Sequence, residues 1–231
     1  MELNGGKMQI KDTVERPQPF FADRFDAGRE LAEFMDLQAD PKAIVLALPR
    51  GGVPVGKALA EALAAPMRAL VVRKLPIPTS PEMGFGAMAL GGKVVLNDAV
   101  VDRYEISKDA RSKVIDEVQE ELLRRAREYN GTEALPDLDG REVYIVDDGL
   151  ATGYTALVGA LMLRDTDALA VHLAIPVSPV DSLQRVEPWV DEAVCLYAQK
   201  RPPFAVASFY RDFHDLSDKE VCEILATQRE K

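Results

Sequence analysis

The chain has 231 residues, 47% of them hydrophobic, and a net charge of −10. That length suits one large domain and that composition supplies a sizeable core, which excludes a wholly disordered chain. The acidic balance argues against a broad nucleic-acid-binding face, which needs clustered Lys and Arg, and no apolar run approaches the roughly 20 residues of a membrane helix.

Met1 to Pro19 is polar and lacks the apolar segment of a secretory signal. Cys195 and Cys222 are too few for a disulfide framework and match no zinc spacing, so two reduced, mostly buried thiols are expected. The expectation is a soluble cytoplasmic protein without membrane or nucleic-acid partners.

Residues 1–19 hold glycines, prolines and charges and read as a mobile tail before one domain over 20–231. Residues 23–36 have helical spacing, with Phe25, Leu31, Phe34 and Met35 on one face. The continuous apolar run 43–48 ends at Pro49-Arg50-Gly51-Gly52, which suits a strand buried on both faces of a parallel sheet. A helix over 53–65 and a second apolar strand over 68–73 follow. Residues 75–93, rich in proline and glycine, read as a long irregular functional loop. Residues 94–97 suit a returning hairpin strand.

The clearest helix spans 107–130. Ser107 is its N-cap, Asp109 lies in its first turn, and Val114, Ile115, Val118, Leu122 and Ala126 form its apolar stripe. Gly131 is its stop. A third strand, 142–146, runs into Asp147-Asp148-Gly149. A helix over 154–164, strands near 168–175 and 192–198, and a last helix from about 217 to 227 complete the pattern. Strands alternating with helices predict an α/β fold with an open, mostly parallel twisted sheet.

Ligands in such folds sit beyond the carboxyl ends of the strands. The segment Val143–Thr155 places chemistry there. Four apolar residues feed two carboxylates, and small and hydroxyl residues then open a helix. Ala151, Thr152, Gly153 and Thr155 allow tight wrapping around an anion at the helix start. Asp147 and Asp148 suit the two hydroxyls of a cis-diol. Phosphate and diol together point to a ribose 5-phosphate. A phosphate loop of the GxxxxGK[ST] kind and a GxGxxG fingerprint are both absent.

This stretch is similar to the signature of type I phosphoribosyltransferases, in which two acidic residues precede a Thr/Gly loop. The family usually has an aliphatic residue where Gly149 stands. From Phe25 to Val221 the chain resembles stand-alone predicted phosphoribosyltransferases of bacteria and archaea, which share the RGG loop, the lid, the long helix and the DDG-ATG loop.

The resemblance implies Gly149, Ala151, Thr152, Gly153, Tyr154 and Thr155 as the 5-phosphate loop. It implies Arg50, Gly51 and Gly52 as a pyrophosphate loop, with a strained peptide sought at Arg50-Gly51. Basic residues at Arg73-Lys74 would help neutralise pyrophosphate, Lys74 as a catalytic group beside Asp147 and Asp148. Segment 75–97 becomes a lid with a hairpin, and 199–231 a C-terminal hood. Glu82 is a candidate contact to Mg²⁺ or sugar.

Phe209-Tyr210-Arg211-Asp212-Phe213 echoes an aromatic-Arg-Asp segment of purine phosphoribosyltransferases, making Arg211 and Asp212 candidates near pyrophosphate. Otherwise His172 and Trp189 read as packing residues, and His214 as a turn residue. The implied activity is Mg²⁺-dependent transfer from 5-phosphoribosyl 1-pyrophosphate to a nitrogen acceptor, a nucleobase above all, by a homodimer. The metal would sit beside Asp147 and Asp148, held indirectly. A non-catalytic nucleotide-binding regulator and a hydrolase of a phosphoribosyl bond are the alternatives.

Overall fold

The computed structural model describes residues 7–228. Six strands form one parallel sheet in the order β1-β9-β8-β7-β2-β3: Lys7–Val14, Glu192–Gln199, Ala170–Pro179, Glu142–Val146, Ile44–Ala47 and Met67–Ala69. Three more, β4 (Val72–Ile77), β5 (Ser80–Ala89) and β6 (Val94–Leu96), form a small antiparallel sheet above it. The helices are α1 (Arg24–Phe34), α2 (Gly52–Leu63), α3 (Asp98–Arg103), α4 (Lys108–Asn130), α5 (Tyr154–Leu163), α6 (Val180–Val186) and α7 (Asp218–Ala226). The fold is thus α/β, with helices on both faces of the parallel sheet.

The period of two along each strand sends alternate residues to opposite faces. Val45, Ala47, Tyr144 and Val146 pack under α1, α2, α4 and α7. Ile44, Leu46, Val143 and Ile145 pack against α5 and α6. Both faces are covered, so both sets must be apolar, as the continuous runs in the sequence foretold. Helix α4 has the expected limits: the Ser107 side chain accepts from Ala110 N–H, and Gly131 ends the helix with φ +72°.

Central strands β2 and β7 lie side by side, Ala47 opposite Val146. From β2 the chain moves outward through α2 to β3, and from β7 it moves the other way through α5 to β8. The crevice between them is the switch point of the sheet, the place where such folds bind ligands.

Three expectations change. Lys7–Val14, expected within a mobile tail, is instead an edge strand paired in parallel with β9 from Lys7↔Glu192 to Val14↔Gln199. Its mixed charges are what an edge strand tolerates, since its outer faces meet solvent. The run 68–73, expected as one strand, divides between two sheets: Met67–Ala69 pairs with β2, whereas Val72 onward joins β5. Residues 75–93, expected to be irregular, are mostly hairpin. Pro76 sits on edge strand β4 at a register shift, where its missing N–H costs no ladder bond. Gly86 lets β6 approach, since a Cβ there would lie 2.3 Å from Val95 O. No described helix is long and apolar enough to cross a membrane.

Candidate active site

The loop after β7 is shaped by its own residues. Asp147 accepts from Asp148 N–H at 2.9 Å, turning the chain at the end of the strand. Gly149 stands where an aliphatic residue is usual in the resembling family, and the structure supplies the reason. A Cβ there would lie 2.7 Å from Val177 Cγ2 and 2.8 Å from Val206 Cγ1, so these valines fill that space. Gly153 adopts φ +78° and caps α5, bringing the N–H groups of the first helical turn to the loop.

The loop after β2 is packed against the first one. A Cβ on Gly51 would fall 2.0 Å from Asp148 Oδ2, and one on Gly52 2.5 Å from Val146 O. Only glycines admit the loop this close to the acids. The unusual peptide bond here is Pro49–Arg50, which is cis, one bond upstream of the Arg50-Gly51 expected.

A cleft of about 500 Å³ opens beside these loops. Gly149, Ala151, Thr152, Tyr154 and Thr155 form one wall, and Lys74, Glu82, Met83, Gly84 and Gly86 of the hairpin form the other. Lys74 Nζ donates to the Glu82 carbonyl across the hairpin, and Tyr104 Oη contacts Met83 Sδ at 3.3 Å. Glu82 is exposed along this wall. A second cleft, of about 760 Å³, lies beyond β1 and β9 between Arg16 and Arg201.

Two carboxyl groups share a confined, buried place. Burial, and then the neighbouring Asp148, raise Asp147 well above the usual carboxylate range. Burial also raises Asp148, although Arg24 pulls it back. Arg24 Nε donates to Asp148 Oδ2 at 2.7 Å, with the two side chains 8% and 13% exposed. The guanidinium also donates to His214 O at 2.9 Å and stacks 3.7 Å from the centroid of the Phe213 ring. Tyr210 donates its hydroxyl to Asp148 O at 2.6 Å.

Arg24 and Tyr210 are therefore the site residues that sequence reasoning passed over. A signal existed for Arg24: it stands where α1 begins to bury one face, a position costly for an unpaired charge.

Other candidates are not brought to the cleft. Arg50 lies 3.8 Å from Asp218 at the start of α7, and Arg73 lies 3.4 Å from Glu121 of α4. Glu121 also binds Arg124 and Arg125, and the Arg124 hydrogen bonds hold its carboxyl down at about 2. Arg211 and Asp212 are exposed, with Asp212 turned to His214 at 3.1 Å. In that segment Tyr210 reaches Asp148 and Phe213 reaches its partner Arg24, while the exposed Arg211 and Asp212 do neither.

His172, expected as a packed residue, stacks on Tyr144 between Glu142 and Glu192. Trp189 is half-buried against the α5–α6 core. Cys195 is fully buried, which raises its thiol, and Cys222 is half-buried.

Paired acids and a Gly/Thr loop stand at the switch point of a parallel α/β sheet that carries a small antiparallel sheet, the position at which open α/β sheets bind ligands. Residues 22–199 match the model of the phosphoribosyl transferase domain, and the chain belongs to that family. It is 44% identical over 206 residues to proteins of two Mycobacterium tuberculosis strains named provisionally as phosphoribosyl transferases. The match covers 89% of this chain and 46% of each relative, so the chain spans about half the length of those relatives. The crystal structure of the protein TT1426 from Thermus thermophilus superposes with a TM-score of 0.71 at 31% identity, covering 90% of this chain and 98% of that one.

Proposed function

We propose that this chain transfers the 5-phosphoribosyl group of 5-phosphoribosyl 1-pyrophosphate to a nitrogen acceptor, a nucleobase above all, and releases pyrophosphate. One observation carries the reading: the Gly149–Thr155 loop and Lys74 face each other across one cleft, and the Asp147–Asp148 pair immediately precedes that loop at the end of β7. Family membership supports it.

In this reading the loop amides and the hydroxyls of Thr152 and Thr155 bind the 5-phosphate at the start of α5. Asp147 and Asp148 accept from the ribose hydroxyls. The C1–O bond to pyrophosphate breaks as the C1–N bond forms, and the acceptor's N–H proton leaves to solvent. Negative charge grows on pyrophosphate, where Lys74 and the amide of Gly51 stabilise it; the Gly52 N–H already donates to Leu48 O at 3.0 Å. The β4–β5 hairpin, as a lid, keeps water from the cationic sugar.

The donor set fits Mg²⁺. Mg²⁺ is commonly held by one or two carboxylates together with substrate oxygens, the kind of donor that the Asp147–Asp148 pair offers. Asp147 and Asp148 would hold it, chiefly through the sugar's oxygens. When bound, the ion supplies charge neutralisation to the pyrophosphate. A cytoplasmic homodimer with no nucleic-acid or membrane partner completes the proposal; the net charge of −10 disfavours a nucleic-acid partner.

The test is titration calorimetry of 5-phosphoribosyl 1-pyrophosphate with Mg²⁺ into wild type and the Asp147→Asn/Asp148→Asn double variant. Saturable binding by wild type, lost in the variant, is expected, and pyrophosphate release would then be screened over acceptor bases. A folded wild type that binds nothing overturns the reading. Binding without turnover on any base would favour a regulator.

A further inference from the structure

Helix α6 lies apart from the acids and the lid, and none of its residues lines the cleft. It nonetheless grips the 5-phosphate loop from behind. Ser182, 4% exposed, donates its hydroxyl to Ala151 O at 2.8 Å. Arg185 donates Nη1 to Thr152 O at 2.5 Å, and its guanidinium lies 5.1 Å from the centroid of the Tyr154 ring. Gly153 completes the contact, since a Cβ there would stand 3.0 Å from Ser182 O and 3.4 Å from Val186 Cγ2.

These contacts fix the orientation of two successive peptide units. In a planar trans peptide the C=O and the following N–H point in opposite directions. With the carbonyls of Ala151 and Thr152 drawn back to α6, the N–H groups of Thr152 and Gly153 point away from it. Neither N–H donates to a protein acceptor among the described residues. Without the two donors the loop would be free to turn its carbonyls toward an anion, which repels them.

Resting on the phosphoribosyl reading above, we infer that Ser182 and Arg185 are positioning residues for the 5-phosphate: they hold the Ala151–Gly153 peptides with their N–H groups turned to the ligand, and touch no substrate themselves. The chain thereby builds part of its phosphate specificity from a helix that follows the next strand, β8. Arg185 is exposed and acts by holding a carbonyl, so its positive charge alone is not the useful property. A lysine there keeps a donor and a charge and should keep much of the function.

The experiment compares two probes, ribose 5-phosphate and inorganic pyrophosphate, by calorimetry on the full chain. The proteins are wild type, Arg185→Ala, Arg185→Lys and Ser182→Ala, each checked by thermal melting. The expected result is that Arg185→Ala and Ser182→Ala each weaken ribose 5-phosphate by about tenfold, the worth of one lost positioning hydrogen bond. Pyrophosphate affinity should stay within about twofold of wild type, and Arg185→Lys should recover most of the loss, because the donor is restored.

Equal loss of both probes, or ribose 5-phosphate binding within about twofold of wild type in both alanine variants, overturns the inference and leaves the reading above standing. Failure of wild type to bind ribose 5-phosphate at all overturns both together.

Discussion

The two loops at the switch point, Asp147–Thr155 after β7 and Leu48–Gly52 after β2, share a position and differ in construction. The first carries its own chemistry: two carboxylates, two threonine hydroxyls and a helix start, with α6 holding its peptides from behind. The second carries almost none. Its arginine turns to Asp218, and what it offers is backbone brought close by glycines that lie against Val146 and Asp148. One loop depends on functional groups and the other on the absence of side chains. The cation facing the cleft, Lys74, belongs to neither and comes from the hairpin. In the proposed function, Gly- and Thr-rich loops on the parallel sheet and a basic residue on the smaller sheet suit a cleft that tightens around a phosphorylated ligand.

Substitutions can break this comparison at graded cost. The largest effect on stability is expected at Arg24, whose buried pairing with Asp148 serves both loops. Arg24→Met leaves Asp148 buried and uncompensated, which should cost about 3–5 kcal/mol of unfolding free energy, measured by urea denaturation. Next is Gly51→Ala. Its Cβ cannot coexist with the Asp148 carboxylate, so the two loops must separate, at about 1–3 kcal/mol, with loss of pyrophosphate binding in the same preparation. If Gly51→Ala binds pyrophosphate normally, closeness of backbone is not what the second loop contributes.

Smaller effects sharpen the assignment of charge. Lys74→Ala should weaken pyrophosphate by about tenfold, whereas Arg50→Ala and Arg73→Ala should change it by less than about threefold, since their side chains are engaged by Asp218 and Glu121. Calorimetry on the three variants ranks them, and an equal loss at Arg50 would mean its side chain swings into the cleft.

The smallest effect concerns pH. Asp147 is raised above its ordinary 3.8, so folding favours its protonated form. Its contribution to stability is fully present below that value and is lost as pH rises through the folded-state pKa. Asp147→Asn should therefore stabilise the ligand-free protein at neutral pH, and the gain should vanish below the ordinary value. Melting temperatures of both proteins across that range check the sign; a gain independent of pH would point to some other cause.

The amino-acid sequence by itself determined the parallel sheet, the long helix α4 with its two caps, and the loop from Asp147 to Thr155. These are carried by contiguous residues whose spacing, capping and backbone freedom act locally. The hairpin at 75–93 was harder to read because its prolines and glycines look like loop, although they serve an edge strand and a close approach. The run 68–73 hides a change of sheet, since apolar content alone does not say which neighbour a strand pairs with.

Tertiary structure decided the rest. Arg24 finds Asp148 across 124 positions, Val206 fills the space beside Gly149, and Arg50 and Arg73 leave the cleft for partners on α7 and α4. Charges and voids of this kind are settled by which elements pack together. Burial makes each unpaired ion costly, and the partner that relieves that cost lies wherever the fold places it, far along the chain.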